Sequence, residues 1–345
     1  MLRLDSDLVC LPGGKQPIPV SGGEDGQAEG VAASTAASMA AGKAAGTSVS
    51  KATGKAAGWA ARLELRFAAS PDGTRLVHNR HRGPLRLLKA LADEDGRRLE
   101  AVIVHPPGGL VGGDSLTLDL HVGPGARVLA TTPGAQKWYR GEVTAVSSTA
   151  LTVGRGASLE WLPQPAILFD RAQARQAVAV ELDREASCTG WEILIRGRGA
   201  MGEFLGSGHI DQTLTISVAQ SLLWQERLFA DAADRLFDSP LGWDRRTMAA
   251  SVWCCAPSLA SDRLSALRDR WRELLAGADD LQAAKAPAGS RAPSGGASIV
   301  AGGLLLAKLL GDDSEQLMAL CQSLWRAARK SLEGSEGSLP RIWRT

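Results

Sequence analysis

The chain has 345 residues, of which 44% are hydrophobic and 22% charged, so it can bury one large core, or one core and a smaller satellite. Its 39 basic residues nearly cancel its 37 acidic residues, which leaves a net charge of +2. No net field therefore draws it to nucleic acid or to an anionic membrane, and we expect neither as a partner.

Cysteine usage and the apolar runs indicate a cytoplasmic location. The five cysteines are an odd number without CxxC spacing, and Cys254 and Cys255 are adjacent, which disfavours a disulfide framework. A reducing compartment fits this usage best. The apolar run at 299–307 is far shorter than the roughly 20 residues of a membrane span, and we expect no export signal.

The N-terminal region has little to bury. Residues 21–57 are mostly Gly, Ala, Ser, Thr and Lys, which cannot offset the entropy of ordering the chain. We therefore predict that residues 1–58 form a disordered, low-complexity extension. The alternative is a targeting peptide. The lysines after Glu29 favour this alternative, but the residues before Glu29 do not.

From Trp59 the sequence changes to short alternating runs closed by turn residues, which predicts a β body over residues 59–256. Three stretches of it resemble one another, each predicting a strand, a tight turn and a second strand. Their alanines at 126, 157 and 186 are spaced 31 and 29 residues apart. This period predicts a mostly β fold with a β-helix-like or solenoidal antiparallel body. A run of ordinary hairpins in a sandwich is the alternative.

After Pro257 the apolar period approaches four, which predicts a C-terminal helical section over residues 257–345. Two helix faces carry this pattern, and a further helical run is predicted from about Gly303 to Gly311. Asp313 and Gln316 have the spacing of a capping box at the start of the last helix. Residues from about 277 to 298 are rich in Ala, Gly, Ser and Pro, and this composition predicts a flexible linker. The two faces comprise Leu264, Leu267, Trp271 and Leu274, and Leu317, Leu320, Leu324 and Ala328.

Carboxylates beside apolar strand residues are the main candidates for enzyme chemistry. The chain has no GxSxG elbow, phosphate loop or HExxH helix. Glu160 and Asp170 could act as the acid and base of a β-solenoid carbohydrate-active enzyme, which is the alternative function. The structural interpretation is that each of these carboxylates is a solvated or salt-bridged strand residue. The five histidines and the cysteines show no ligand spacing of a tight zinc site.

Pro106, Pro107, Gly108, Gly109, Gly112 and Gly113 form one motif. The prolines fix the direction of the chain, and the glycines allow positive φ or close approach of the backbone, so the motif is expected to be structural. A second motif contains Lys137, Trp138, Tyr139 and Arg140. Tyr and Trp anchor interfaces well, but a core ring and solvated charges are the equal alternative here.

Five blocks together resemble the UreD family of urease accessory proteins, also called UreH. The resemblance runs from about Trp59 to Thr345, and residues 1–58 lie outside it. The blocks are HPPGGLVGGD (105–114), TTPGAQKWYR (131–140), LEWLPQPAILFD (159–170), GWEILIRGRGAMGE (190–203) and LPRIWRT (339–345).

The resemblance implies a mostly β, β-helix-like body and a cytosolic role without catalysis. Members of that family bind UreF and the GTPase UreG, and with them apo-urease, so that nickel reaches the urease site through an internal passage. Position by position, the resemblance assigns Asp114, Glu192 and Glu226 to this passage, with Ni²⁺ in transit and no cofactor tightly bound. Sparse carboxylates suit such transit because thiolates would trap the ion.

The sequence departs from the family pattern at two sites. Gln136 stands where a hydroxyl residue is common, at a position expected near the passage. Pro165 and Ala166 replace a pair that commonly includes an acid, and Asp170 is the nearby carboxylate that could compensate. These departures concern single passage residues and leave the resemblance intact.

Overall fold

The computed structural model describes residues 58–93, 95–282 and 291–344, and the predicted extension lies outside this part of the chain except for Gly58. The described residues form mostly strands, two α-helices and three short 3₁₀ helices. The α-helices are α1 (Ser261–Gln282) and α2 (Ser314–Glu333), and the 3₁₀ helices are Gly199–Met201, Arg235–Phe237 and Arg341–Arg344. The strands are β1 (Ala60–Ser70), β2 (Gly73–Arg82), β3 (Arg86–Ala92), β4 (Leu99–Val104), β5 (Gly109–Leu110), β6 (Ser115–Val122), β7 (Arg127–Thr131), β8 (Gln136–Trp138), β9 (Ala145–Val153), β10 (Ser158–Leu162), β11 (Ala166–Leu168), β12 (Ala172–Leu182), β13 (Ser187–Arg196), β14 (Gly208–Val218), β15 (Ser221–Asp231), β16 (Met248–Cys255), β17 (Ser294–Ala301) and β18 (Leu304–Gly311).

The strands form two sheets. Sheet A has the order β15-β14-β12-β9-β6-β1-β2, and the main path of sheet B has the order β17-β18-β16-β13-β10-β7-β4-β3. The short strands β5, β8 and β11 join sheet B beside this path. The fold is therefore mostly β, as predicted from the alternating runs.

The three similar stretches are three strand-turn-strand units, each with one strand in each sheet. Their first strands, β6, β9 and β12, pair in parallel in sheet A, and their second strands, β7, β10 and β13, pair in parallel in sheet B. Ala126, Ala157 and Ala186 all lie buried just before the second strand of their unit. The antiparallel part of the prediction is wrong for these strands, because each turn carries the chain to the other sheet instead of closing a hairpin.

Two cores stabilise the layers. One lies between the sheets and receives alternate side chains from both, such as Leu118 of sheet A and Leu159 of sheet B. The other lies on the opposite face of sheet B, which α1 and α2 cover. Trp271 of α1 and Leu324 of α2 are fully buried there, and burial of such a side chain stabilises the fold by about 1.5–3 kcal/mol.

The last α-helix begins where the sequence predicts. The Asp313 carboxylate accepts hydrogen bonds from the backbone N–H groups of Glu315 and Gln316 at 2.9 and 3.0 Å. Its predicted apolar face is buried from Leu317 to Ala328. The Asp313 half of the predicted capping box is therefore confirmed, since Asp313 satisfies amides that have no partner within the helix.

Other boundaries of the C-terminal section were predicted wrongly. The run from Gly303 to Gly311 is not a helix but strand β18, which with β17 extends sheet B beyond residue 256. Both faces of β18 are covered, so the run is almost continuously apolar and lacks the alternation of a half-exposed strand. The linker predicted at about 277–298 begins within α1 and ends within β17, and residues 283–290 lie outside the described part. No helix within the described residues is long and apolar enough to cross a membrane.

Candidate functional site

A cavity of about 510 Å³ lies between the two sheets at the edge formed by β15, β16 and β18. Its lining includes two of the three predicted acids, Glu192 and Glu226, together with Gln212, Ser251 and Lys308. Apolar side chains such as those of Leu194 and Leu214 form most of the remaining wall. The cavity therefore combines an apolar enclosure with a few charged and amide groups.

Glu192 is the most enclosed charged group of this cavity, with 6% of the residue exposed. Its two carboxylate oxygens accept hydrogen bonds from the side-chain amides of Gln176, at 2.8 Å, and Gln212, at 3.2 Å. Burial raises the pKa of Glu192 to about 7, and the hydrogen bond from Gln176 opposes that rise. Near neutral pH, this carboxyl group can therefore exchange its proton for a cation.

Glu226 lies closer to solvent and is held by three donors. Its Oε1 accepts a hydrogen bond from Ser251 Oγ at 2.9 Å, and its Oε2 accepts one from Trp224 Nε1 at 3.2 Å. The Lys308 ammonium forms an ion pair with the same Oε2. The two predicted glutamates thus line one cavity, at different depths.

A second cavity, of about 390 Å³, lies near the proline-glycine motif. His105, Thr132, Gln136, Ser147 and Gln164 contribute polar atoms to its wall. The side-chain amide nitrogen of Gln136 is buried without a hydrogen-bond partner among the described residues. The amide nitrogen at this departure from the family pattern is therefore a hydrogen-bond donor that lacks a protein acceptor, a role that a water molecule can fill.

A row of polar side chains crosses sheet A between the two cavities. Ser147, Gln176 and Gln212 occupy matching positions on the neighbouring parallel strands β9, β12 and β14. Ser147 lines the second cavity, Gln212 lines the first, and Gln176 donates to Glu192. Gln176 Oε1 is buried without a partner among the described residues. These side chains occupy neighbouring positions from the wall of the second cavity to the wall of the first, within an otherwise apolar core.

Asp114, the third predicted acid, lies apart from the two glutamates and lines neither cavity. Its carboxylate accepts hydrogen bonds from the backbone N–H groups of Trp59 and Val111, both at 2.8 Å. It thereby ties the start of β1 to the turn before β6. Burial lowers the pKa of His105 in the second cavity, and the Asp114 charge acts against that shift. The geometry gives Asp114 a structural role, and its passage role stays a prediction.

Two glycines of the motif show why side chains are excluded there. A Cβ atom on Gly109 would lie 2.4 Å from Cε2 of Tyr139 and 2.7 Å from the carbonyl oxygen of Lys137. Gly113 has φ of +92°, a conformation that other residues rarely adopt. Close approach and backbone conformation therefore account for these positions, as expected of a structural motif.

The predicted interface residues divide by exposure. Trp138 is only 1% exposed, so its ring belongs to the core and cannot anchor a partner, contrary to the interface prediction. Tyr139 is half-buried with its ring edge-on to Phe169, at a centroid distance of 4.9 Å. Lys137 is half-buried and Arg140 is exposed. An interface role for Lys137, Tyr139 and Arg140 stays a prediction.

The carboxylate pair of the alternative enzyme is not brought together. Glu160 faces α2 and forms ion pairs with Arg98 and Arg329. Asp170 lies in the loop after β11, where it accepts hydrogen bonds from the backbone N–H groups of Gly206 and Ser207 at 3.1 and 2.9 Å. None of the cavities described for residues 58–344 is lined by both. The pair therefore lacks the shared substrate space that glycoside hydrolysis needs.

A groove of about 570 Å³ between α1 and α2 has the wrong charge for a metal ion. Arg270, Arg326 and Lys330 line it, and its acid, Glu336, already pairs with Arg326 and Lys330 at 3.0 and 3.2 Å. Within the described part of the chain, no three His, Cys, Asp or Glu residues lie together as a ligand set. Of the predicted acids, Glu192 and Glu226 therefore remain the pair that shares one cavity.

Three residues that line this cavity, and Gln176 beside it, were missed from the sequence. Gln176, Gln212, Ser251 and Lys308 were not singled out, because single polar residues on strands resemble outward-facing ones. Lys308 carried one usable signal, since it interrupts the apolar run of β18 with a charge. A charged residue within such a run usually has a specific partner.

Known proteins of one family match this chain over nearly all of the described residues. Residues 60–344 match the family model described as UreD urease accessory protein. The chain is 39% identical over 286 residues to the urease accessory protein UreD of Dechloromonas aromatica, which covers 83% of this chain and 94% of that protein. The corresponding values for the Pseudomonas aeruginosa PAO1 protein of the same name are 39%, 83% and 95%. For the Pseudomonas fluorescens Pf0-1 protein of that name they are 37%, 83% and 95%.

Proposed function

The chain belongs to the UreD family of urease accessory proteins, and on that premise we propose that it is a cytoplasmic, non-catalytic scaffold that conducts nickel during urease maturation. In this proposal it binds UreF and the GTPase UreG and, with them, apo-urease. Ni²⁺ is its cargo and is held only in transit. The observation that carries the proposal is the polar row between the two cavities inside the β body.

The oxygen atoms of the polar row and of the glutamates in the first cavity suit a divalent ion in transit. Carboxylate and amide oxygens of Glu192, Glu226 and Gln176 can replace part of the hydration shell of an ion, and they bind such ions less tightly than thiolates do. The thiol of Cys188, on the same strand as Glu192, does not compete, because burial raises the pKa of Cys188 to about 12. The ion therefore meets oxygen ligands that do not bind it tightly enough to trap it.

The proton of Glu192 provides a second reason for weak, reversible binding. Since burial raises the pKa of this carboxyl group to about 7, an arriving cation must displace a proton over much of the neutral range. When the ion leaves, the carboxyl group can take up a proton again instead of remaining a buried bare charge. Glu192 can thus hold a cation briefly at little net cost.

The proposed scaffold is tested by co-expressing the chain with apo-urease and its other accessory proteins and replacing Glu192 or Glu226 by Gln. Glu185→Gln is the matched control, because Glu185 is exposed and, among the described residues, its carboxylate pairs with Arg155 of the neighbouring surface turn. We expect each cavity variant to assemble with its partners in pull-down but to lower the nickel content and activity of urease. Glu185→Gln should leave both at the wild-type level.

Asp114→Asn is a separate arm of the same experiment. Because both oxygens of Asp114 hold backbone amides, we expect this variant to weaken folding or complex assembly together with urease activation. Unchanged nickel content in both glutamate variants, with complexes intact, would contradict the passage.

A further inference from the structure

The ion pair between Lys308 and Glu226 joins the two sheets at the edge of the first cavity. Lys308 lies on β18 of sheet B, and Glu226 lies on β15, the edge strand of sheet A. The Lys308 ammonium also lies 2.7 Å from Ser251 Oγ, whose hydroxyl group donates to Glu226 Oε1 at 2.9 Å. The lysine, the serine and the glutamate therefore form one cluster that bridges the gap between the sheets.

This cluster lies between the buried end of the cavity and solvent. Glu192, Ser251 and Lys308 occupy matching positions across β13, β16 and β18, so they form a row on the inner face of sheet B. Exposure increases outward, from 6% for Glu192 to 22% for the Glu226 side chain and 51% for the Lys308 side chain. An ion moving between solvent and Glu192 along this row passes the Lys308 ammonium.

The ammonium occupies the position that a metal ion would take at Glu226. A divalent cation and an ammonium group cannot share the same carboxylate oxygen closely, because the two positive charges repel each other. The Lys308 side chain can leave, since its four-carbon stem is flexible and half of its surface already contacts water. An ion pair exposed to this extent is weak, so its exchange for a more highly charged ion is favourable.

We propose that Lys308 is a displaceable counter-cation at the mouth of the cavity, which neutralises Glu226 when no metal is bound and swings into solvent when a divalent cation takes its place. The lysine thereby weakens the binding of the ion at Glu226 and keeps this carboxylate from trapping it. The inference rests on the proposed nickel-conducting function, since the cation concerned is the cargo of that function.

The test measures Ni²⁺ binding to the purified full chain at pH 7.5 by equilibrium dialysis against NiCl₂. Lys308→Leu removes the charge without adding a metal ligand, and Lys308→Arg keeps the charge. Lys89→Leu, on β3 outside the cavity, controls for a general loss of positive charge. We expect Lys308→Leu to bind Ni²⁺ about tenfold more tightly than wild type, while Lys308→Arg and Lys89→Leu stay within about twofold.

A second substitution locates the effect. Adding Glu226→Gln to Lys308→Leu should abolish the gain in affinity, because the carboxylate that the lysine had neutralised is then gone. If Lys308→Leu unfolds at a lower urea concentration but binds Ni²⁺ no more tightly than wild type, the lysine only ties the sheets together and the inference is overturned. A gain that survives Glu226→Gln overturns it as well.

Failure of the counter-cation inference and failure of the proposed function give different results. Tighter Ni²⁺ binding by Lys308→Leu, combined with normal urease nickel content in the Glu192→Gln and Glu226→Gln complexes, supports the displaceable lysine and contradicts the nickel passage. The reverse result, unchanged binding with a loss of urease nickel in the glutamate variants, supports the passage and overturns the lysine's role.

Discussion

Arg98 Nη1 lies 2.9 Å from Glu160 Oε2, and both side chains are almost completely buried where α2 covers sheet B. Arg329 of α2 approaches the other oxygen of Glu160, with its Nε at 3.6 Å. Glu333, also of α2, pairs with Arg98. The buried charges therefore join the helical layer to the sheet, and Glu160 is central to them.

Replacing Glu160 by Gln is expected to destabilise the fold by about 3 kcal/mol, because Arg98 and Arg329 then lose a buried counter-charge. Urea denaturation measures this change in the free energy of unfolding. Glu185→Gln is the control, since the solvent-exposed pair of Glu185 with Arg155 should contribute little to the free energy of unfolding. Equal losses in the two variants would show that burial does not determine the strength of the Glu160 contacts.

Glu192 makes the stability of the fold depend on pH. Its carboxyl group has a pKa raised by burial from 4.5 to about 7, so the folded chain retains a proton that the unfolded chain has lost. Between these values the folded state binds more protons, and the free energy of unfolding falls as pH rises. Above about pH 7 the destabilisation is complete, on the order of 3 kcal/mol.

Glu192→Gln removes this titration and should therefore gain stability over wild type as pH rises. Urea denaturation at pH 5.5, 6.5 and 7.5 measures the difference, which we expect to grow across the series. Glu273→Gln on the exposed face of α1 is the control and should give a constant difference. A Glu192→Gln curve parallel to wild type would contradict the proton held on Glu192.

Gly109→Ala should lower the urea midpoint and cost about 1–3 kcal/mol, since the added methyl group overlaps the Tyr139 ring and the Lys137 carbonyl group. Gly134→Ala is a matched control, because Gly134 and Gly109 both line the second cavity. A Cβ on Gly134 has no atom within 4 Å, and Gly134 does not have a positive φ. Loss of stability in Gly134→Ala but not in Gly109→Ala would contradict the steric explanation.

The thiols of Cys188, Cys254, Cys255 and Cys321 are fully buried, and burial raises the pKa of each, to about 11 for Cys254. In a Cys10→Ser variant, Ellman's reagent should therefore label none of these four thiols in the native protein and all four in denaturant. Any slow labelling without denaturant should proceed at the rate at which the whole protein unfolds. Rapid labelling without denaturant would show that a thiol can reach solvent, and with it a metal ion.

The sequence patterns predicted the elements whose two faces differ. The buried face of α2 and its cap at Asp313 follow from a period near four and from capping spacing, and both were found. The units marked by Ala126, Ala157 and Ala186 follow from their period. Strand β18 could not be predicted in this way, because it is covered on both faces and its Leu and Ala residues also favour helices.

The candidate site was predicted only in part. Glu192 and Glu226 came from the family resemblance, and they do line one cavity. Gln176, Gln212 and Lys308 were missed because strand periodicity places a residue on a face but does not say what the opposite sheet brings to it. Gln176 and Glu192 belong to different sheets, so only the packing of the sheets brings the amide to the carboxylate.

The row of Ser147, Gln176 and Gln212 runs at right angles to its strands. Its side chains therefore follow one another at the strand spacing of about 4.8 Å. That interval is fixed by backbone hydrogen bonds and does not depend on which side chains form the row. Inserting or deleting one strand-turn-strand unit would thus lengthen or shorten the row by one uniform step. Evolution could adjust the length of such a row while leaving the interval between neighbouring side chains unchanged.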